Sequence, residues 1–486
     1  MMTLDEVKKI ASTGEYDLIP LTRELLSDIR TPLETLLALQ SVSTHCFLLE
    51  SVEDQVRWGR YTFLGYDPDM ELICNDHRLM IKAGGKIDIE VEHPAKHLKK
   101  LLKENRSPVI EGLPPFTGGF VGYFSYDYIK YSEPTLKLKA ENTNDFSDMD
   151  LMLFKKLIAY DNLLQKIFLI VNIGTDDIET EYNRGCLELD IMENIVRFGK
   201  PKEIKPGRLL SELKPAFSKE EYCKKVEKIK DHIHEGDIFQ LVLSNPMEAD
   251  YEGSLLSTYR ILRTTNPSPY MFYFSGNVEI AGASPETLVQ VRDDEIKTFP
   301  LAGTRKRGKT PEEDMALEKE LLADEKERAE HNMLVDLGRN DLGRICEFDT
   351  VNVEKYMSVE KYSHVMHIGS AVKGKLSKDH TAIDAIDALL PAGTLSGAPK
   401  IRACELIDEF ENNKRGLYGG AIGYVAFTGN LDTCIAIRLA FKKNDKIFIR
   451  TGAGIVADSI PENEYEECIN KAKAVLESVE KAEEDK

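Results

Sequence analysis

Two pairs of carboxylates stand three residues apart in this chain, Glu327 with Glu330 and Glu464 with Glu467, each within a stretch of helical periodicity. That spacing puts both members of a pair on one helix face. Two such faces opposed would make an all-oxygen cage suited to magnesium. In a chain with 83 Asp plus Glu, a solvated acidic face is the simpler explanation. Residues 336–344 (DLGRNDLGR) alternate acid and base around Gly338 and Gly343, which are expected to stop a helix and leave an Asp–Arg network at its end. Residues 391–400 (PAGTLSGAPK) form a small-residue loop with hydroxyls at Thr394 and Ser396. The loop runs into a helix whose first amides favour an anion. His364 and His367 lie together in an apolar stretch, as core imidazoles or as proton carriers.

Two further segments imitate nucleotide sites. Residues 303–310 (GTRKRGKT) match the phosphate-loop pattern GxxxxGK[ST]. A phosphate loop needs a helix that starts at Gly-Lys-Thr and buries an apolar face, whereas here Pro311-Glu-Glu-Asp follows. Downstream, no apolar strand ending in Asp supplies the magnesium partner, so NTP binding is the runner-up reading. Residues 452–457 (GAGIVA) imitate GxGxxA, but Pro461 would interrupt the required helix and too little chain remains for a dinucleotide domain. A tight turn that lets backbone amides approach a carboxylate or phosphate is the better reading.

The elements that must position these residues change character along the chain. From about 20 to 200 short β-rich runs dominate (46–50, 61–65, 72–74, 79–81, 157–161, 166–171), with a helical stretch at 93–102. A Lys/Pro-rich connector spans 200–206. Ser218 then stands as a helix N-cap, and Tyr222, Val226, Ile229 and Ile233 recur at helical spacing as far as Gly236. Strands are expected at 239–243, 270–274, 279–283, 288–291, 421–427, 433–440 and 446–451, and helices at about 312–337, 380–389 and 462–480. Short turns such as 443–446 join alternating strands, the habit of antiparallel sheet. The expectation is an α+β protein with a β-rich N-terminal domain, 1–205, and a catalytic domain, 215–482.

With 486 residues, 42% hydrophobic and 30% charged, the composition is that of a globular protein. No apolar run approaches the ~18–20 residues of a membrane span, and the start MMTLDEVKK is charged where a signal peptide would be greasy, so a cytoplasmic location is expected. A net charge of -20 disfavours nucleic acid and anionic membrane as partners. Eight cysteines without a CxxC pair argue for free thiols.

DLGRNDLGR, YSHVMH, AGTLSGAPK, YGGAIGY, DTCIAIR and GAGIVADS, in this order, resemble the signature set of chorismate-utilising enzymes. LLES at 48–51, GRYTF at 59–63 and NPSPYMF at 266–272 belong to the same pattern, so the resemblance covers nearly the whole chain. It implies that family's fold, large antiparallel sheets packed together and flanked by helices. It also implies magnesium on Glu330 and Glu467, with Glu327 and Glu464 beside them, binding the ring carboxylate of chorismate. The enolpyruvyl carboxylate would fall to Arg438, Tyr418 and the amides around Gly452, Ala453 and Gly454, with Thr394 against the substrate. Glu286 matches the family's acid, and His367 the histidine tied to pyruvate elimination.

Two positions choose among family members. Gln240 stands where isochorismate and salicylate synthases resemble one another in having a water-activating lysine. A neutral amide cannot play that base, so ammonia is the expected nucleophile. Ala302 replaces the lysine typical of 4-amino-4-deoxychorismate synthases, the family alternative, and argues for amination at ring carbon 2 to give anthranilate. No cysteine sits in a Gly-rich elbow, so ammonia is expected from a separate glutaminase subunit, in a hetero-oligomer of two large and two small chains. Glu50 and Ser51 with Asn266, Pro269, Tyr270, Met271 and Phe272 resemble a feedback site for tryptophan.

Overall fold

A computed structural model describes residues 2–51, 59–362 and 365–484. Its strands build two large antiparallel sheets, of 13 and 12 strands, with helices around them. Both sheets are shared by the two halves of the chain. In the larger, Cys46–Glu50 pairs with Tyr270–Ser275, and in the smaller, Gly119–Phe124 pairs with Ala421–Ala426. The segments 1–205 and 215–482 are thus joined by strand pairing, and the 200–206 connector does not separate two cores. Glycine lets the strands flanking the second seam pack close on either side. Gly122 faces Gly423 across it, and a Cβ on either would fall 2.1 or 2.0 Å from the carbonyl oxygen of Asp150 or Asp432.

Between the sheets lies an aromatic core in which Phe47 of the larger sheet meets Phe154 of the smaller edge-on, centroids 4.9 Å apart. Such a contact adds roughly 0.5–1.5 kcal/mol beyond the area it buries. The cap expected at Ser218 is present. It opens the helix Lys219–His234 with a reciprocal bond to Glu221, and Tyr222, Val226 and Ile229 are buried.

Several boundaries differ from expectation, each for a local reason. The helix expected over 312–337 is two, Pro311–Ala323 and Glu325–Gly343, because Asp324 turns extended and caps the amides of Lys326 and Glu327. Gly338 does not stop the second helix. A Cβ there would stand 3.3 Å from Thr298 Cγ2, so the missing side chain lets the helix close on the sheet. Pro461 opens the last helix, Pro461–Glu484, where proline is tolerated. The strand expected over 433–440 is also two, Leu431–Ile435 in the smaller sheet and Leu439–Lys443 in the larger.

Candidate active site

The chain crosses from one sheet to the other twice at the same place. Glu279–Ser284 of the larger sheet passes through Pro285 and Glu286 into Thr287–Arg292 of the smaller, and Leu431–Ile435 returns through 436–438 into Leu439–Lys443. The crossings are tied together: the Ile435 amide donates to Glu286 O (2.9 Å), the Ser284 hydroxyl to Ile435 O (2.7 Å) and the Ala283 amide to Arg438 O (3.1 Å). Regular pairing is impossible at a crossing, so the residues there are released from the sheet. Arg438 turns through φ +54°, a left-handed conformation that costs a non-glycine residue about 1–2 kcal/mol.

Glu286 is buried, and burial pushes its carboxyl up to about 7 against the opposing pull of a hydrogen bond from Thr394 Oγ1 at 3.0 Å. The two residues share a cavity of about 40 Å³ with Asp341 and Gly338. Burial holds the Arg438 guanidinium below its ordinary value, and its Nη1 donates to Lys471 O at 2.9 Å.

The strand Lys446–Ile455 pairs with Gln240–Glu252. A Cβ on Gly452 would stand 3.0 Å from the Tyr418 hydroxyl, and one on Gly454 2.8 Å from Gln240 Nε2, so both glycines leave room for neighbouring polar groups. Ala453, between them, is buried on the other face. The segment stays a strand rather than the expected tight turn. Gln240 is buried; its Nε2 donates to Glu330 Oε1 at 3.2 Å, while its Oε1 has no hydrogen-bond partner among the described residues.

Lys471, beside the expected residues, was missed in the sequence. Lys471 Nζ reaches Gly452 O at 3.1 Å and Glu467 Oε1 at 2.6 Å. Its charge acts on Glu286, Glu330 and His367. The signal was there, since Glu464, Glu467 and Lys471 share a helix stripe at i, i+3 and i+7.

His367, on Val365–Lys375, is held from the phosphate-loop mimic. The pairing of Leu301–Lys306 with that strand slips between Ala302 and Arg305, at Gly303 with φ +64°, and the slip aims Gly303 O at His367 Nδ1, 2.8 Å away. A carbonyl only accepts, so Nδ1 carries the proton and Nε2 is left as an acceptor. Burial, then the charges of Arg438 and Lys471, lower the imidazole below its usual value, although the Gly303 carbonyl pulls the other way. The rest of the mimic is filled by its own helix. Gly308 N donates to Asp314 Oδ1 (2.8 Å) and Lys309 N to Glu313 Oε2 (2.7 Å). His364 lies outside the described residues.

The four clustered glutamates approach from two helices. Glu330 is raised by burial and then by the charge of Glu327; Glu464 by burial and, more weakly, by Glu467. Lys326 and Lys471 act on both Glu330 and Glu464, which places the two faces in one field. Glu327 is paired with Arg305 at 3.3 Å. No three of the four bring carboxylate oxygens within 4.8 Å of one another. As chemistry the donor type fits a hard divalent cation, four carboxylates from two helix faces with Glu330 and Glu464 raised by desolvation, although their oxygens are not drawn together around one point.

The residues expected for tryptophan divide by strand alternation. Glu50 faces Met271 in register, on the side of the helix Leu256–Thr265, where Tyr259 donates to Glu50 Oε1 (2.6 Å) and Arg263 Nη2 to Oε2 (3.1 Å). Phe272 lies in the core between the sheets, and the Tyr270 hydroxyl donates to Asp432 Oδ1 at 2.7 Å. Asn266 ends the helix, Pro269 is buried and Ser51 follows Glu50 at the end of its strand. A larger concavity of about 1130 Å³, lined by His77, His93 and Tyr131, contains none of the expected site residues.

The chain belongs to the chorismate-binding enzymes: the family described as chorismate binding enzyme matches residues 44–477. Within that family its relatives are anthranilate synthase component 1 of Acetivibrio thermocellus, 45% identical over 99% of this chain and 98% of the relative, and of Aquifex aeolicus, 42% identical over 99% and 98%. The crystal structure of anthranilate synthase component I from Streptococcus pneumoniae superposes with a TM-score of 0.74 at 39% identity, covering 88% of this chain and 93% of that one. The menaquinone-specific isochorismate synthase of Escherichia coli, 19% identical, shares the fold at a TM-score of 0.70 over 98% of both chains. Among the described residues no helix is long and apolar enough to cross a membrane.

Proposed function

We propose that this chain is the large subunit of an anthranilate synthase, converting chorismate and ammonia into anthranilate, pyruvate and water. The observation that carries the reading is Glu286, a buried carboxyl pushed up to about 7 and bonded to Thr394 at a sheet crossing shared with Arg438. Ammonia adds at ring carbon 2 as the hydroxyl at carbon 4 departs, and that hydroxyl needs a proton. A carboxyl that is half protonated near neutrality supplies it. Gln240 supports ammonia over water as nucleophile, since its buried Oε1 can accept an N–H but an amide cannot deprotonate water. In the second stage the proton at carbon 2 is lost as the bond from carbon 3 to the enolpyruvyl oxygen breaks, the ring becomes aromatic, and the departing enolate takes a proton at its methylene carbon to become pyruvate. His367, neutral with Nε2 as acceptor, takes the proton from carbon 2.

Arg438, Tyr418 and the strand at Gly452, Ala453 and Gly454 bind the enolpyruvyl carboxylate, with Lys471 adding charge. Glu330 and Glu467 would hold magnesium, with Glu327 and Glu464 behind them; when bound, it neutralises the ring carboxylate next to the attacked carbon. The partner is a glutaminase. Five of the eight cysteines are buried, with thiols pushed up by burial, the opposite of an activated nucleophile. Glu50 and Met271, on the face of the Leu256–Thr265 helix, and the adjoining Ser51 form the core of a tryptophan feedback site. The test is anthranilate fluorescence from chorismate, ammonium and magnesium with the single chain. No product at high ammonium and alkaline pH refutes the reading, as does glutamine-dependent turnover without a partner.

A further inference from the structure

Beneath the site lies an ion network that touches no expected substrate atom. Glu411, at the end of the helix Lys400–Glu411, and Arg415 are each 1% exposed at the side chain, and Arg450 is 5% exposed. Glu411 Oε1 accepts from Ser244 N (2.7 Å), Ser244 Oγ (2.8 Å) and Arg415 Nη2 (2.7 Å). Its Oε2 accepts from Arg415 Nε (2.9 Å) and Arg450 Nη2 (2.5 Å). Every acceptor site of this carboxylate is used, which is what keeps it ionised at full burial.

The remaining donors of Arg415 leave the network for the active site. Nη1 donates to Leu395 O at 2.6 Å, in the Gly393–Leu395 turn that carries Thr394. Nη2 also reaches Val242 O at 2.7 Å, two residues beyond Gln240. The guanidinium lies 4.4 Å over the Tyr126 ring and 5.7 Å from that of Tyr418. The turn's own bonds, from Leu395 N and Ser396 N to Ala392 O (3.0 Å each), hold the side that precedes Thr394, and the Arg415 bond fixes the Leu395 carbonyl that follows it.

We infer that Arg415 is a positioning residue for the proton donor: its planar fork, fixed by Glu411 and stacked on Tyr126, pins Leu395 so that the Thr394 hydroxyl meets Glu286. Lysine cannot replace it. One ammonium has three donors radiating from a point and cannot span both Glu411 oxygens and two carbonyls. The inference rests on the acid role proposed for Glu286. The charged and titratable groups facing that carboxyl are Lys471 of the last helix and Asp341, which lines the same cavity.

The experiment is a double-mutant cycle on the pH dependence of kcat, at saturating chorismate and constant unprotonated ammonia. Thr394→Val removes a bond that favours ionised Glu286, so the acid keeps its proton longer and the alkaline limb moves to higher pH. Arg415→Lys should move the limb in the same direction, lower kcat by about tenfold or more through misplacement, and add no further shift in the double variant. A limb that stays in place in R415K while T394V moves it overturns the inference alone, as does a double variant whose shifts add. If T394V leaves the limb in place, the acid role of Glu286 fails and the inference falls with it. Should R415K not fold, Tyr126→Leu loosens the stacked guanidinium without removing charge. It should move the limb in the same direction while Tyr126→Phe does not; an unmoved limb in Y126L overturns the inference.

Discussion

Glu286→Gln keeps the shape of the buried side chain and an oxygen for Thr394, but removes the proton. At its ordinary value of 4.5 a carboxyl would be protonated in only about one molecule in 300 at pH 7, whereas a value of about 7 makes it half protonated. Burial therefore enlarges the competent population by more than a hundredfold. Losing a positioned general acid costs ~10²–10⁴ in rate. The expected kcat of E286Q at pH 7 is thus two to four orders of magnitude below wild type, measured by anthranilate fluorescence with ammonium. Wild-type kcat should fall above a limb near 7, and E286Q should lose that limb. The same shift has a sign in stability. A carboxyl raised in the folded state opposes folding as pH rises from 4.5 towards 7, so E286Q should gain thermal stability over wild type above pH 7 and lose that advantage near pH 4. A residual rate within tenfold of wild type, or a limb unchanged in E286Q, refutes the assignment.

Lys309→Ala should leave the rate within about twofold, and ATP with magnesium should not raise the melting temperature, because Asp314 and Glu313 already occupy the amides a phosphate would need. Glu330→Gln and Glu467→Gln should each raise the magnesium concentration for half-maximal rate by at least about tenfold, read from a titration of ammonia-dependent activity. Glu50→Gln leaves Arg263 and Tyr259 without their ionised partner, and should weaken tryptophan inhibition by about tenfold or more while ammonia-dependent kcat in its absence stays near wild type. His367→Ala should accumulate the aminated intermediate, seen by chromatography, while anthranilate output collapses.

What the sequence disclosed depended on whether the signal was local. Ser218 with Glu221 is a cap within four residues, and the 443–446 turn places Asn444 and Asp445 at φ +50° and +57°, so both were legible. Strand pairing between residues 221 to 229 positions apart was not: nothing in Cys46–Glu50 specifies Tyr270–Ser275 as its neighbour, and the connector therefore read as a domain boundary. The strand expected at 433–440 failed for a related reason. The apolar run Cys434–Ile437 carries the strand pattern into the crossing, where the bond from Ile437 N to Ile435 O (2.9 Å) and the left-handed turn at Arg438 break the strand. Residues of the site with a motif were named beforehand, whereas Lys471, Glu411, Arg415 and Arg450 were not. Buried charges look like surface charges until the partners that justify their burial are known.

A net charge of -20 opposes a dianionic substrate, and on the proposed function the crossings are where that opposition is overcome. Over 10 Å from the surface the acidic field is largely screened at physiological salt. At the crossings stand two cations: Arg438, held below its ordinary value by burial, and Lys471, partly exposed and already shared between Gly452 O and Glu467. An arginine so desolvated, with one bond to a backbone carbonyl, has no carboxylate at ion-pair distance among the described residues, only the more distant charge of Glu467. A substrate carboxylate would supply the near partner, and burial makes that exchange worth far more than at the surface. The strained backbone that aims the guanidinium then has a reason, because a regular strand would have placed residue 438 within one sheet and away from the gap between two.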